Sequence, residues 1–189
     1  MSGGLVAVWG AIGGGKTGLL LEVAAALRDR GLAVGGVVQP RVFAEGALVG
    51  YALLDVGSGA RRPFASRSDR QERPRWDFDA GGWGWAAERI RASLAADQVT
   101  VVDELGLLEA RGAGHLPALR ASPHRGALLL GVRGDARDAL GLLLGGFAAE
   151  VQVSEGAARV LGAVLPLLGE RGGAHGTSPI SGPGAPAAG

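Results

Sequence analysis

The stretch that decides the fold is Gly10-Ala11-Ile12-Gly13-Gly14-Gly15-Lys16-Thr17. It has the spacing G-x-x-x-x-G-K-S/T of a loop that wraps around phosphate groups. Glycines let backbone N–H groups turn inward around phosphate oxygens, where side chains would collide. Lys16 can reach the β- and γ-phosphates of a nucleotide, and the Thr17 hydroxyl can bind Mg²⁺. The stretch therefore predicts a nucleoside triphosphate, such as ATP or GTP, as substrate and Mg²⁺ as cofactor.

The context of the loop supports this interpretation. The chain has 35 glycines, so glycine patterns arise easily, but Lys16 is its only lysine. The loop follows an apolar run, Leu5–Trp9, that is typical of a strand buried on both faces. Apolar residues then recur at helical spacing over 17–30, and a second apolar strand covers 33–38. This order predicts a parallel β–loop–α–β unit.

The later segments extend this unit into an α/β fold with a mainly parallel sheet. Short extended pieces at 42–43, 48–54 and 62–64 predict an antiparallel meander after the second strand, and six arginines over 61–75 predict a surface loop. Further strands are predicted at 98–102, 127–132 and 151–153. Further helices are predicted at 83–96, 116–121, 136–144 and 155–168, with Asp135 as a cap. We expect a single domain over residues 1–170 and a disordered Gly/Pro/Ala/Ser tail over 171–189.

An acidic pair follows the strand at 98–102. The apolar run buries this strand, and parallel sheets bind ligands at the carboxyl ends of their strands. Asp103 is therefore predicted to hold Mg²⁺ opposite Thr17. Glu104 is the candidate general base that deprotonates the attacking water. Asp103 and Gly106 also fit D-x-x-G, in which the glycine N–H can meet the γ-phosphate.

Composition excludes several other classes of protein. The net charge is +1, which does not favour nucleic acid as a partner, and the absence of cysteine removes disulfides and zinc–cysteine sites. His115, His124 and His175 have no metal-ligand spacing, and we expect them at the surface. No apolar run is long enough for a membrane span, so a cytoplasmic protein is expected. A Ras-type guanine site needs a second lysine, which the chain lacks.

The motifs resemble those of the cancer-related nucleoside-triphosphatase family, small P-loop proteins of the RecA-like division. The resemblance rests on the loop at 10–17, on the order of elements over about 4–168, on the meander near Tyr51, and on Asp103-Glu104-Leu105-Gly106-Leu107-Leu108-Glu109. The last of these is similar to that family's D-E-I/L-G-x-M/L-E. The resemblance implies a three-layer fold and hydrolysis of nucleoside triphosphates with broad base tolerance.

The resemblance also implies roles for individual residues. Glu104 is the base, and Glu109 is a second acidic position in the nucleotide site. The strand at 127–132 lies between the strands that carry the phosphate loop and the acidic pair, so that Arg133 emerges near the γ-phosphate as a sensor. This chain departs from the family at the run T-E-x-x-R, where it reads Gln39-Pro40-Arg41-Val42-Phe43. The resemblance therefore assigns no role to Arg41.

Two other functions stay open from the sequence. One is a nucleotide-binding adapter or cofactor-insertion accessory with little hydrolysis and an unidentified protein partner. The other is a small-molecule kinase, in which the arginines of 61–75 form a lid. Trp76, Phe78, Trp83 and Trp85 could stack on a base, although aromatic residues near the start of a helix more often join the core.

Overall fold

A nine-stranded sheet with helices on both faces is seen in a computed structural model that describes residues 4–68, 76–121, 124 and 126–169. The strands are β1 (Leu5–Gly10), β2 (Val34–Val38), β3 (Arg41–Ala44), β4 (Ala47–Asp55), β5 (Arg61–Arg67), β6 (Trp76–Phe78), β7 (Val99–Leu105), β8 (Ala127–Arg133) and β9 (Ala149–Gln152). The helices are α1 (Lys16–Arg28), α2 (Ala80–Ala96), α3 (Leu107–Ala110), α4 (Leu116–Ala121), α5 (Arg137–Leu144) and α6 (Gly156–Gly169). The strand order is β6-β5-β4-β2-β7-β8-β1-β9, and β3 pairs with β4.

The parallel half of the sheet positions the site. Strands β2, β7, β8, β1 and β9 are parallel neighbours in that order, and β8 lies between β7 and β1. The α/β class, the mainly parallel sheet and the central position of the 127–132 strand are thereby confirmed. The carboxyl ends of β1, β2, β7 and β8 meet at one edge, which is where open α/β sheets bind ligands.

The antiparallel half is the predicted meander. Strand β4 pairs antiparallel with β2, β3 and β5, and β5 pairs with β6. The expected surface loop over 61–75 is wrong in its first part, because Arg61–Arg67 is a strand. This strand buries Phe64 and Ala65 in its middle and exposes Arg61 and Arg67 at its ends. Residues 69–75 lie outside the described residues.

Two apolar cores fill the space between the sheet and its helices. One contains Leu20, Val23 and Leu27 of α1 together with residues of α6, and the other contains Ile90 and Leu94 of α2 together with residues of α4 and α5. The molecule is therefore a three-layer α/β/α structure. Ile90 and Leu94 are buried, whereas Trp85 is only half-buried.

The start of α2 and the cap of α5 differ from the prediction. Helix α2 begins at Ala80 instead of Trp83, because the Asp79 side chain accepts a hydrogen bond from the Gly81 N–H and caps the helix. The cap of α5 is Ala136, and Asp135 is occupied by an ion pair with Arg133. None of the helices in the described part of the chain is long and apolar enough to cross a membrane. The predicted tail at 171–189 lies outside the described residues.

Candidate nucleotide site

The predicted phosphate loop connects β1 to α1 in a conformation that glycine adopts most readily. Gly13 has a φ of 79° and Gly15, the residue before α1, has a φ of 92°. The Gly14 N–H donates to the Ala11 carbonyl over 3.1 Å and closes a tight turn. The first-turn N–H groups of α1 and its positive dipole end therefore face the loop. This arrangement is suited to bind phosphate.

The Lys16 side chain lies against the backbone of the phosphate loop. Only 3% of this residue is exposed, and its ammonium group donates to the carbonyls of Gly10 and Ala11 over 3.2 and 2.9 Å. Each of these bonds joins the ammonium to a neutral backbone oxygen, and a phosphate oxygen is a stronger acceptor. The loop therefore holds its one lysine where an anion can compete for it.

The structure brings Thr17 and Asp103 together. The Thr17 hydroxyl donates to Asp103 Oδ2 over 2.6 Å, and the Glu104 N–H donates to Asp103 Oδ1 over 2.8 Å. Asp103 is fully buried, and burial raises the pKa of its carboxyl to about 6, against the opposing effect of the Thr17 hydrogen bond. A hydroxyl and one carboxylate are oxygen ligands that suit Mg²⁺, which usually takes its remaining ligands from water and substrate phosphates. The two residues fit a Mg²⁺ site.

Glu104 has a strained backbone. Its φ of 58° is unusual for any residue other than glycine and costs about 1–3 kcal/mol. The strain coincides with a β-bulge, because three residue steps from Val102 to Leu105 face two steps on β8. Among the described residues, no group hydrogen-bonds to the Glu104 carboxylate. The half-buried Glu104 carboxylate beside Asp103 therefore has no hydrogen-bond partner within the described part of the chain.

Glu109 stabilises the turn after β7. It is 3% exposed, and its two carboxylate oxygens accept the N–H groups of Gly106 and His115 over 2.8 and 3.1 Å. Burial raises the pKa of this carboxyl. The Gly106 N–H that the sequence predicted to meet the γ-phosphate is thus donated to Glu109, and a phosphate contact would need that bond to open.

The expectation of surface histidines is wrong for the two that are described. His115 and His124 are 2% and 4% exposed, and His175 lies outside the described residues. The His115 ring nitrogen lies 2.8 Å from the Gln39 amide nitrogen, and burial lowers the pKa of His115 to about 4. An unpaired charge is too costly to bury at this depth, so the neutral ring acts as a core residue.

Arg133 lies at the same edge, at the end of β8, where its backbone pairs with Gly10 of β1. Its guanidinium binds both carboxylate oxygens of Asp135, over 3.1 and 2.5 Å, and its stem packs on Gly106. The structure therefore brings Arg133 next to the phosphate loop, with a carboxylate already bound.

Two cavities open at this edge, and Gln39 and Glu104 line both of them. The larger, of about 400 Å³, is lined by Lys16, Thr17, Gly18 and Leu21 together with Arg41 and Phe43. The sequence assigned no role to Gln39 or Phe43 and left Arg41 open. All three residues follow the carboxyl end of β2. Because open α/β sheets bind ligands at the carboxyl ends of their parallel strands, the prediction of β2 as a parallel strand is the signal that could have identified these residues.

The smaller cavity, of about 270 Å³, is aromatic. Trp76, Phe78 and Trp83 line it with Tyr51, on the side of Gly106 and Arg133. Trp83 also packs edge-on against Phe64 of the core, at 4.7 Å between ring centroids. Trp85 lines neither cavity. The Arg89 guanidinium lies over its ring, 5.5 Å from the ring centroid. Three of the four aromatic residues that the sequence singled out therefore share one cavity.

Solved structures share this fold. The solution structure of a human cancer-related nucleoside triphosphatase superposes with a TM-score of 0.66 at 18% identity, covering 90% of this chain and 99% of its own. The crystal structure of THEP1 from the hyperthermophile Aquifex aeolicus superposes with a TM-score of 0.61 at 17% identity, covering 87% and 98%. At this level of identity the similarity concerns the fold.

Two sequence relatives of this chain are nucleoside-triphosphatases named THEP1. Nucleoside-triphosphatase THEP1 of Methanopyrus kandleri is 29% identical over 128 residues, which cover 66% of this chain and 71% of that protein. The THEP1 protein of Archaeoglobus fulgidus is 33% identical over 105 residues, 55% of this chain and 61% of the relative. This chain thus spans about three fifths to seven tenths of these relatives. Because a family model described as NTPase also matches residues 5–134, this chain belongs to the nucleoside-triphosphatase family.

Proposed function

We propose that this family member hydrolyses nucleoside 5′-triphosphates, ATP and GTP alike, in a Mg²⁺-dependent reaction at the edge formed by β1, β7 and β8. The observation that carries the proposal is the meeting of the phosphate loop with the acidic strand end, through the 2.6 Å bond from Thr17 to Asp103. Residues 86 positions apart are brought together there. Their chemistry matches the two halves of a phosphoryl-transfer site.

Phosphate binding is assigned to the loop from Gly10 to Lys16. Its backbone N–H groups surround the α- and β-phosphates, and Lys16 leaves the carbonyls of Gly10 and Ala11 for the β- and γ-phosphate oxygens. Thr17 and Asp103 would hold Mg²⁺, which when bound neutralises charge on the phosphates. The lysine is already at the loop, so little rearrangement precedes its contact with phosphate.

Glu104 is assigned as the general base. Its carboxylate accepts a proton from water while the water oxygen bonds to the γ-phosphorus and the bond to the β–γ bridging oxygen breaks. The electron pair of that bond goes to the diphosphate. Beside Thr17 and Asp103, a strained backbone presents a carboxylate that has no hydrogen-bond partner among the described residues, which supports catalysis over a purely binding role. Arg133 serves as the γ-phosphate sensor after it leaves Asp135, and Glu109 sets the turn at Gly106.

Broad base tolerance is supported by the larger cavity. Beyond Thr17 its wall is formed by apolar side chains of Leu21, Pro40 and Phe43. Phe43 is 57% exposed and can stack on any base, because every base has a π-face. We therefore expect stacking to hold the base, without hydrogen bonds that distinguish adenine from guanine.

The test is phosphate release from ATP, GTP, CTP and UTP over a Mg²⁺ titration, with Lys16→Ala as the inactive control. We expect turnover with all four that EDTA abolishes, and Phe43→Ala should raise KM for all four by similar factors. Turnover that persists in EDTA would refute the metal requirement. A more than tenfold preference for one base, about 1.4 kcal/mol, would refute stacking as the mode of recognition.

A second function, phosphoryl transfer to a small molecule, is favoured by the aromatic cavity. It opens on Glu104 and Arg133, where an acceptor hydroxyl would replace the attacking water. Phosphate that appears on an added nucleoside, in place of free phosphate, would identify this activity. Tight nucleotide binding with neither product would instead indicate an adapter.

A further inference from the structure

The arginine that follows the second strand lies directly on the phosphate loop. A methyl group built on Gly13 would lie 2.7 Å from Nη2 of Arg41 and 3.2 Å from Nη1, so both ends of the guanidinium approach this residue. Gly13 is the fourth residue of the loop, and its lack of a side chain makes the approach possible. The sequence motif contains no signal for this contact, because Arg41 is 28 positions away.

The backbone of Arg41 is fixed from both sides. Arg41 begins β3 and is paired with Tyr51 of β4, and the preceding carbonyl, that of Pro40, accepts the Ala52 N–H over 3.0 Å. Pro40 also restricts its own φ to a narrow range. The side chain therefore extends from a fixed backbone position beside the loop.

The charge of Arg41 is not neutralised within the described part of the chain. Arg133 binds Asp135 and Arg62 binds Asp79, whereas the Arg41 side chain makes neither an ion pair nor a hydrogen bond with any described residue. It is exposed, and it lines the same cavity as Lys16 and Thr17. A free, planar cation at a phosphate loop is arranged for the bidentate recognition of phosphate oxygens.

We propose that Arg41 is an arginine finger supplied by the chain itself, which contacts the γ-phosphoryl group and the β–γ bridging oxygen of the bound triphosphate. This inference rests on the proposed function. Negative charge accumulates on the bridging oxygen as its bond to phosphorus breaks, and Arg41 stabilises that charge. Lys16 binds the triphosphate before and during the reaction, whereas Arg41 contributes mainly in the transition state.

The test compares Arg41→Ala and Arg41→Lys with Arg61→Ala, an exposed arginine of β5 that is outside the phosphate cavity. We predict that Arg41→Ala lowers kcat at least about 100-fold. The Kd for ADP should stay within about threefold of wild type, since the diphosphate lacks the γ-group. Arg41→Lys should restore little of the lost kcat, because lysine lacks the planar guanidinium group. Added guanidinium ions should restore part of the kcat of Arg41→Ala.

Three outcomes would overturn the proposal: wild-type kcat in Arg41→Ala, an equal loss in Arg61→Ala, or no rescue together with lost ADP binding. Binding separates this inference from the proposed function. If the wild type does not hydrolyse ATP, the proposed function fails, and Arg41 is judged from the Kd of ADP with aluminium fluoride, a mimic of the transferring γ-phosphoryl group, relative to the Kd of ADP alone. Tighter binding in the presence of the mimic that Arg41→Ala removes supports the inference, and tighter binding that it retains refutes it.

Discussion

Gly131 of β8 makes room for the buried carboxylate of the site, and filling that room tests the proposed role of Asp103. A methyl group on Gly131 would lie 2.3 Å from Asp103 Oδ1 and 2.8 Å from Leu20 Cδ1. Non-bonded heavy atoms prefer about 3.5–4.0 Å, so the carboxylate must move by about 1 Å in Gly131→Ala. Asp103 is fully buried and cannot turn toward solvent.

Two costs follow from this displacement. Overpacking a core position destabilises a protein by about 1–3 kcal/mol. The second cost is the 2.6 Å hydrogen bond from Thr17, whose loss leaves a buried carboxylate without its strongest donor. A misplacement of about 1 Å in a catalytic site can lower the rate about 100-fold. We therefore expect a folded but less stable variant with strongly reduced turnover and a raised Mg²⁺ requirement.

The assay combines urea denaturation with phosphate release over a Mg²⁺ titration. Gly126→Ala is the matched control, because its methyl group would lie 1.9 Å from the Gln98 carbonyl oxygen at the opposite end of the same strand region. We expect Gly126→Ala to lose stability and to keep its turnover below its melting temperature. If Gly131→Ala retained wild-type turnover and Mg²⁺ dependence, the position of Asp103 would not matter, and the assignment of this residue would be wrong.

Substitutions at two other positions, Thr17 and His115, give sharp outcomes. Thr17→Ala should lose activity and about 1–3 kcal/mol of unfolding free energy, whereas Thr17→Ser keeps the hydroxyl and should stay active. Activity is measured as phosphate release. If Thr17→Ala were as active as Thr17→Ser, the hydroxyl would have no part in the mechanism. Burial lowers the pKa of His115 to about 4 in the folded protein, so between about pH 4 and pH 6.5 the unfolded chain binds a proton that the folded one does not. Stability should therefore fall as the pH drops, by about 2 kcal/mol at pH 5 relative to pH 7.5, and His115→Asn should lack this component in urea titrations at the two pH values.

The sequence predicted the parts of the fold that depend on local patterns. Apolar runs identify β1, β7 and β8 because strands buried on both faces tolerate few polar residues. The phosphate loop was recognisable because each of its residue types is required by the chemistry. The start of α2 was missed because Gly81 and Gly82 weaken a helix on propensity scales, and the Asp79 cap offsets this only through its geometry.

The site was predicted less completely than the fold, because parts of it depend on packing. Glu109 was expected among the acidic groups of the site, and no local pattern shows that two backbone N–H groups occupy its oxygens. The positive φ of Glu104 results from the bulge between β7 and β8, a tertiary feature. Arg41 lies next to Gly13 although the two residues are 28 positions apart, because the fold places both of them at one cavity. Distances between segments that are far apart in the chain are what a single sequence does not contain.

The most direct test of the central claim is single-turnover phosphate release from ATP with Mg²⁺, in wild type, Glu104→Gln and Glu88→Gln, an exposed acid of α2. Losing a general base costs about 100- to 10,000-fold, so Glu104→Gln should bind nucleotide with unchanged Kd and release phosphate at that reduced rate. Glu88→Gln should match wild type. Wild-type release from Glu104→Gln would contradict the assignment of the base, and with it the proposed catalytic role of the strained bulge in β7.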